Sequence, residues 1–178
     1  RMRWRSYATS ANGAGASAGG GGNAGDGTGG GGSAPDISQM TPRERFDRLF
    51  NRIMQAAEQG DQAQVERFTP MALGAYSQLD VIDADARYHA AVLQLQAGNA
   101  PAALALADTI LVTSPGNLFG YIVRGTVAKT RNDKPALRQA QRDFLAHYAA
   151  AMQAKLAEYD DHRPVIDEFK RDADAGVR

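Results

Sequence analysis

The sequence contains no cysteine. Disulfides, thiolate metal sites and cysteine nucleophiles are removed together, while the compartment stays open, because a reducing cytosol and a disulfide-free periplasmic protein both permit zero cysteines. Charge of one sign is lacking too. Lys and Arg number 20 and Asp and Glu number 20, so the basic excess expected of a nucleic-acid binder is missing. No run of about 18 apolar residues occurs, and no segment reads as a membrane-spanning helix. An alternating strand pattern is missing throughout.

Chemistry-bearing constellations are equally scarce. The three histidines are His89, His147 and His162. None stands in a metal-type spacing with another, and each reads as a surface or packing residue. Asp160-Asp161-His162 could suggest a metal or a base, but reads better as the stop of one helix and the cap of the next. The glycines form no phosphate loop, since no strand precedes them and no Gly-Lys-Ser/Thr follows. No nucleophile–base pair presents itself. The expectation is therefore no catalytic residue, no cofactor and no metal.

What is present divides into two regions. Between Ala11 and Pro35, 12 of 25 positions are glycine, a composition that loses much backbone entropy on ordering and buries little, and so predicts a flexible tether. Ahead of it stands Arg1-Met2-Arg3-Trp4-Arg5-Ser6-Tyr7. Arg1, Arg3, Trp4, Arg5 and Tyr7 suit a membrane interface, where cations meet headgroups and aromatic rings sit at the boundary, or a protein groove; a solvated terminus is the plainer reading. A first residue Arg1 leaves room for an upstream signal peptide or anchor.

From residue 36 to 178 the chain reads as one helical domain. Thr41-Pro42-Arg43-Glu44 is a capping box with proline at the first helical position. Phe46, Leu49, Phe50, Ile53 and Met54 then recur at three- and four-residue steps. Gly60-Asp61 ends that helix and caps a second, which Thr69-Pro70 should kink or restart. Further helices are predicted over about Ala84 to Ala97, Ala100 to Thr113 and Leu118 to Thr130. A long one follows over about Lys134 to Tyr159, and a short one over Pro164 to Ala173.

Shifting the sequence by 34 residues places Ala91 on Gly125, Gly98-Asn99 on Asn132-Asp133, Pro101 on Pro135 and Ile110 on Phe144. The stretch from Ala86 to Asn117 resembles a tetratricopeptide unit. It has small residues in both helices (Ala91, Ala103), a Gly-Asn turn and a closing proline at Pro115, at the period of about 34 residues typical of that family. Phe119 to about Phe144 is similar to a second, poorer copy, and Phe46 to Leu79 to a divergent first one. The resemblance implies a short all-α solenoid of helix pairs behind a glycine-rich N-terminal tail. Its concave face would carry Asp85, Tyr88, His89, Val92, Phe119, Ile122, Val123 and Thr126. That set lacks the Lys and Asn needed to clamp a terminal carboxylate. Being rather apolar, it would either receive an apolar helix or lie under the chain's own last helices; Tyr88, Val92, Phe119, Ile122 and Thr126 are the candidate contacts.

The functional expectation is a non-catalytic protein–protein scaffold: an accessory or assembly subunit attached peripherally to a membrane complex, respiratory or photosynthetic, with protein subunits as partners. The alternative is a soluble adaptor that holds a peptide or helix in its concave face. An enzyme ranks last.

Overall fold

The computed structural model describes residues 40–177. The head residues Arg1, Arg3, Trp4, Arg5 and Tyr7 and the glycine-rich segment lie outside them. Eight helices follow in order: α1 (Pro42–Gln59), α2 (Gln62–Tyr76), α3 (Ala84–Gln96), α4 (Ala100–Thr113), α5 (Leu118–Thr130), α6 (Lys134–Gln153), α7 (Ala157–Asp161) and α8 (Arg163–Gly176). No strand occurs among the described residues.

The starts follow from side-chain caps. Thr41 and Glu44 form a reciprocal capping box at α1, and Asp61, Asp83, Asn99, Asn117 and Asp133 each accept a backbone N–H at the start of the helix that follows. Three of the turns are built alike. At Gly60, Gly98 and Asn132 the backbone is left-handed, with φ of 75°, 73° and 55°. The next residue then donates its N–H to the carbonyl five positions back: Asp61 to Ala56, Asn99 to Gln94 and Asp133 to Ala128, each at 2.8 Å. This is the Schellman closure. The same three residues then cap α2, α4 and α6, accepting from Gln64, Ala102 and Ala136. One turn, used three times, makes the pairs α1–α2, α3–α4 and α5–α6, and each pair packs together.

Consecutive pairs also touch, through α2–α3 and α4–α5, and the first helices of the pairs meet as α1–α3 and α3–α5. Small side chains permit the close approach. Ala91 and Ala103 are fully buried, and a Cβ added at Gly125 would stand 2.5 Å from the Phe169 ring. The core runs as one cluster from Phe46 and Phe50 through Leu93 and Phe119 to Phe144 and Ile166.

Three details depart from the sequence reading. First, α2 runs through Pro70 without restarting. Pro70 is exposed while Phe68, Thr69 and Ala72 are buried, so the carbonyl that loses its N–H partner lies toward water and the packed face is preserved. Second, the long helix stops at Gln153, because Lys155 adopts φ of 50° and turns the chain into α7. Third, α8 is longer than expected and folds back on α6 and α5.

Candidate functional site

The expected inner-face residues Tyr88, Val92, Phe119, Ile122 and Thr126 are all buried. Tyr159, Val165 and Ile166 from α7 and α8 join Tyr88, Val92, Phe119 and Ile122 in the same core. Phe169 lies over Gly125, beside Thr126. The chain's own C-terminal helices thus occupy this face, and those five residues offer no open surface to a partner.

Two side chains from the C-terminal segment fix that closure. The Leu118 N–H at the start of α5 donates to the Tyr159 hydroxyl oxygen at 3.0 Å, away from water. Tyr159 also meets Phe119 edge-on, with centroids 5.2 Å apart. A tyrosine from α7 therefore satisfies a helix N-terminal donor that has no intrahelical partner. The second side chain is His162, at the α7–α8 junction. It stands at the cap position of α8 but makes no capping bond. Instead it turns inward, 2 % exposed, edge-on to both Tyr88 and Phe119.

There His162 meets α3. Its Nε2 lies 2.9 Å from His89 Nε2 and 3.0 Å from Asp85 Oδ1, and His89 Nε2 lies 3.6 Å from the same Asp85 oxygen. Asp85 and His89 are one helical turn apart, which places both on one face. His89 is buried and stacks on Phe50, with centroids 3.9 Å apart. Its Nδ1 lies 3.4 Å from Asp47 Oδ1 on α1, and neither of those two buried atoms has a hydrogen-bond partner. His89 and His162 are thus packing residues, as their sequence context suggests, and the fold also brings them together, which their spacing does not signal. His147 does stand apart, exposed, stacked on Tyr121 and bonded to the Asp143 carbonyl.

Arg43 completes the surroundings, reaching Asp47, Asp83 and Asp85 with three of its nitrogens. Burial alone would lower its pKa, but the hydrogen bonds and charges of Asp47 and Asp83 outweigh burial and raise it, so the guanidinium stays charged. Burial pushes Asp85 up, yet the His162 hydrogen bond and the charges of His89, His162 and Arg43 win and hold its carboxyl below the usual range. Burial pushes the His162 pKa below its ordinary value, against the pull of Asp85. At neutral pH the junction thus sets a carboxylate against a neutral His162 imidazole. A pocket of about 200 Å³ opens onto the cluster, lined by Arg43, Asp47, Asn51, Asp85, His89, Asp161 and His162.

Two of the three members of this cluster carry a sequence signal. Asp85 and His89 at a four-residue step on a predicted helix share a face. His162, 73 positions from His89, carries no such signal.

Among the described residues no helix is long and apolar enough to cross a membrane. Compared with known proteins, the chain matches no family model, no curated protein and no solved structure.

Proposed function

We propose that this chain is a non-catalytic helical-repeat scaffold, an accessory subunit that attaches peripherally to a membrane protein complex. The observation that carries the reading is the turn used three times. Gly60-Asp61, Gly98-Asn99 and Asn132-Asp133 share a backbone conformation, a closing bond and a cap, which favours a tetratricopeptide-like stack of helix pairs, a rigid body of the sort used to hold proteins together. Contacts of α1 with α3 and of α3 with α5 fit the first helices of such a stack lining its inside.

The filled inner face favours this reading over a soluble adaptor that takes a peptide there, because α7 and α8 already occupy the place a peptide would use. Attachment then falls to the outer surface of the body and to the Arg/Trp head, whose arginines and aromatics suit anionic headgroups or a subunit groove. The experiment is fractionation of cells that express the full chain. The scaffold reading expects the chain in the membrane fraction, comigrating with a large assembly on a native gel after mild detergent. Recovery of the whole population as a soluble monomer would overturn it.

A further inference from the structure

We propose that Asp85, His89 and His162 form a site for one divalent transition-metal ion of the zinc class, and that the ion fastens the α7–α8 junction to α3. The proposal does not depend on the scaffold reading.

Two imidazole nitrogens 2.9 Å apart can hold at most one proton between them. His162 Nε2 is also 3.0 Å from Asp85 Oδ1, and His89 Nε2 is 3.6 Å from that oxygen. A single proton on His162 Nε2 could serve its two contacts only as a bent three-centre bond, and it leaves His89 Nε2 and Asp85 Oδ1 facing each other at 3.6 Å with nothing between. If His89 donates to His162, then a lone pair of His162 faces the Asp85 carboxylate with nothing between. If His162 donates to Asp85, then the His89 Nε2 lone pair lies beside that N–H and off its axis. A cation among the three atoms satisfies all of them at once.

The spacing suits such an ion. The point equidistant from three atoms so arranged lies about 1.9 Å from each, so an ion slightly out of their plane has all three at about 2.0–2.2 Å, the range for zinc with nitrogen and oxygen donors. The ring centroids of the two histidines are 5.0 Å apart, which puts the two nitrogens nearly on the line between the rings. Each ring must therefore turn toward the pocket for its lone pair to meet an ion there, about a torsion that is broad for histidine. Two imidazoles and one carboxylate select zinc-type ions over calcium or magnesium, which prefer all-oxygen sets.

The surrounding groups are arranged as metal ligands need. Asp47 Oδ1 faces His89 Nδ1 at 3.4 Å. A proton on Nδ1 leaves the Nε2 lone pair for the ion, and a turn of the ring would carry that proton to the carboxylate, a common device around ligating histidines. That bond would also satisfy two buried polar atoms that have no hydrogen-bond partner. Arg43 binds the other oxygen of Asp85 and leaves Oδ1 turned to the histidines. The pocket of about 200 Å³ gives the ion an entry path and room for a water as fourth ligand.

The test uses the purified full chain, stripped with a chelator and titrated with Zn²⁺ by calorimetry and with Co²⁺ by visible absorption. One equivalent should bind, and saturating Zn²⁺ should raise the melting temperature. His89→Gln and His162→Gln should weaken binding at least about 10-fold, and His147→Ala should leave it unchanged. In the unsubstituted chain, bound Co²⁺ should shift or broaden the ring resonances of His89 and His162 and spare those of His147, a readout that stands even if a variant fails to fold. No saturable binding, or binding that leaves the His89 and His162 resonances untouched, overturns the proposal and identifies the junction as a proton-sharing cluster.

Discussion

His89 and His162 lie 73 positions apart in sequence and 2.9 Å apart at their Nε2 atoms. That contact joins α3 to the α7–α8 junction, and Tyr159 makes a second bond a few residues earlier, to the start of α5. Together they hold the last two helices across the apolar face that a helical-repeat protein would otherwise present to a partner.

The Tyr159 bond can be removed without changing the packing. Tyr159→Phe leaves the Leu118 N–H buried with no acceptor, which costs about 1–3 kcal/mol. Denaturant unfolding should show a lower midpoint at an unchanged slope. An unchanged midpoint would mean that the donor finds another partner.

Gly125 tests the contact beneath α8. A Cβ there would stand 2.5 Å from two atoms of the Phe169 ring, and Phe169 is itself braced edge-on by Phe144. Gly125→Ala should cost about 1–3 kcal/mol by overpacking. Ala91→Leu, at the matching position one repeat earlier, should cost a similar amount. Thermal melts check both, and a neutral result for both would break the proposed repeat register.

Lys155 carries strain that a single change relieves. It is a non-glycine residue at φ of 50°, where a β-carbon is crowded. Lys155→Gly should stabilise the chain by about 0.5–1 kcal/mol, net of the added entropy of the unfolded glycine. A lower melting temperature would contradict this account of the break after α6.

The capping box predicts one acid response. The Glu44 carboxylate accepts from the Thr41 N–H at 2.8 Å and from its hydroxyl at 2.9 Å, and these bonds hold its pKa below the ordinary 4.5. A carboxyl with a depressed folded pKa contributes stability that is present above its unfolded value and lost as pH falls through the folded one. Melting temperature should therefore decline below about pH 4.5, and Glu44→Gln should flatten part of that decline. An identical acid limb in the variant would remove Glu44 as a contributor.

Most of the helical layout was legible because the chain punctuates itself. Thr41, Asp61, Asp83, Asn99, Asn117 and Asp133 each announce a helix start, and Gly60 and Gly98 the ends before two of them. The end of α6 was not legible, because no glycine or proline marks Lys155 and the turn is imposed by what α7 goes on to reach. Pro70 misled for the opposite reason: a local breaker lost to burial on the opposite face. The histidine cluster was legible only as Asp85 and His89. Its third member depends on α8 folding back, a long-range event that no local pattern records.

The C-terminal helices close the inner face, and the absence of native cysteine makes that closure directly measurable. A single cysteine is placed at Ala173, fully buried on α8, or at Val112, which is 79 % exposed on α4. The rate of thiol labelling is then compared in the folded full chain. Ala173→Cys should label at least about 100-fold more slowly than Val112→Cys, since reagent must wait for α8 to open. Equal rates at the two positions would show an open inner face, and with it the peptide-binding groove that this account rejects.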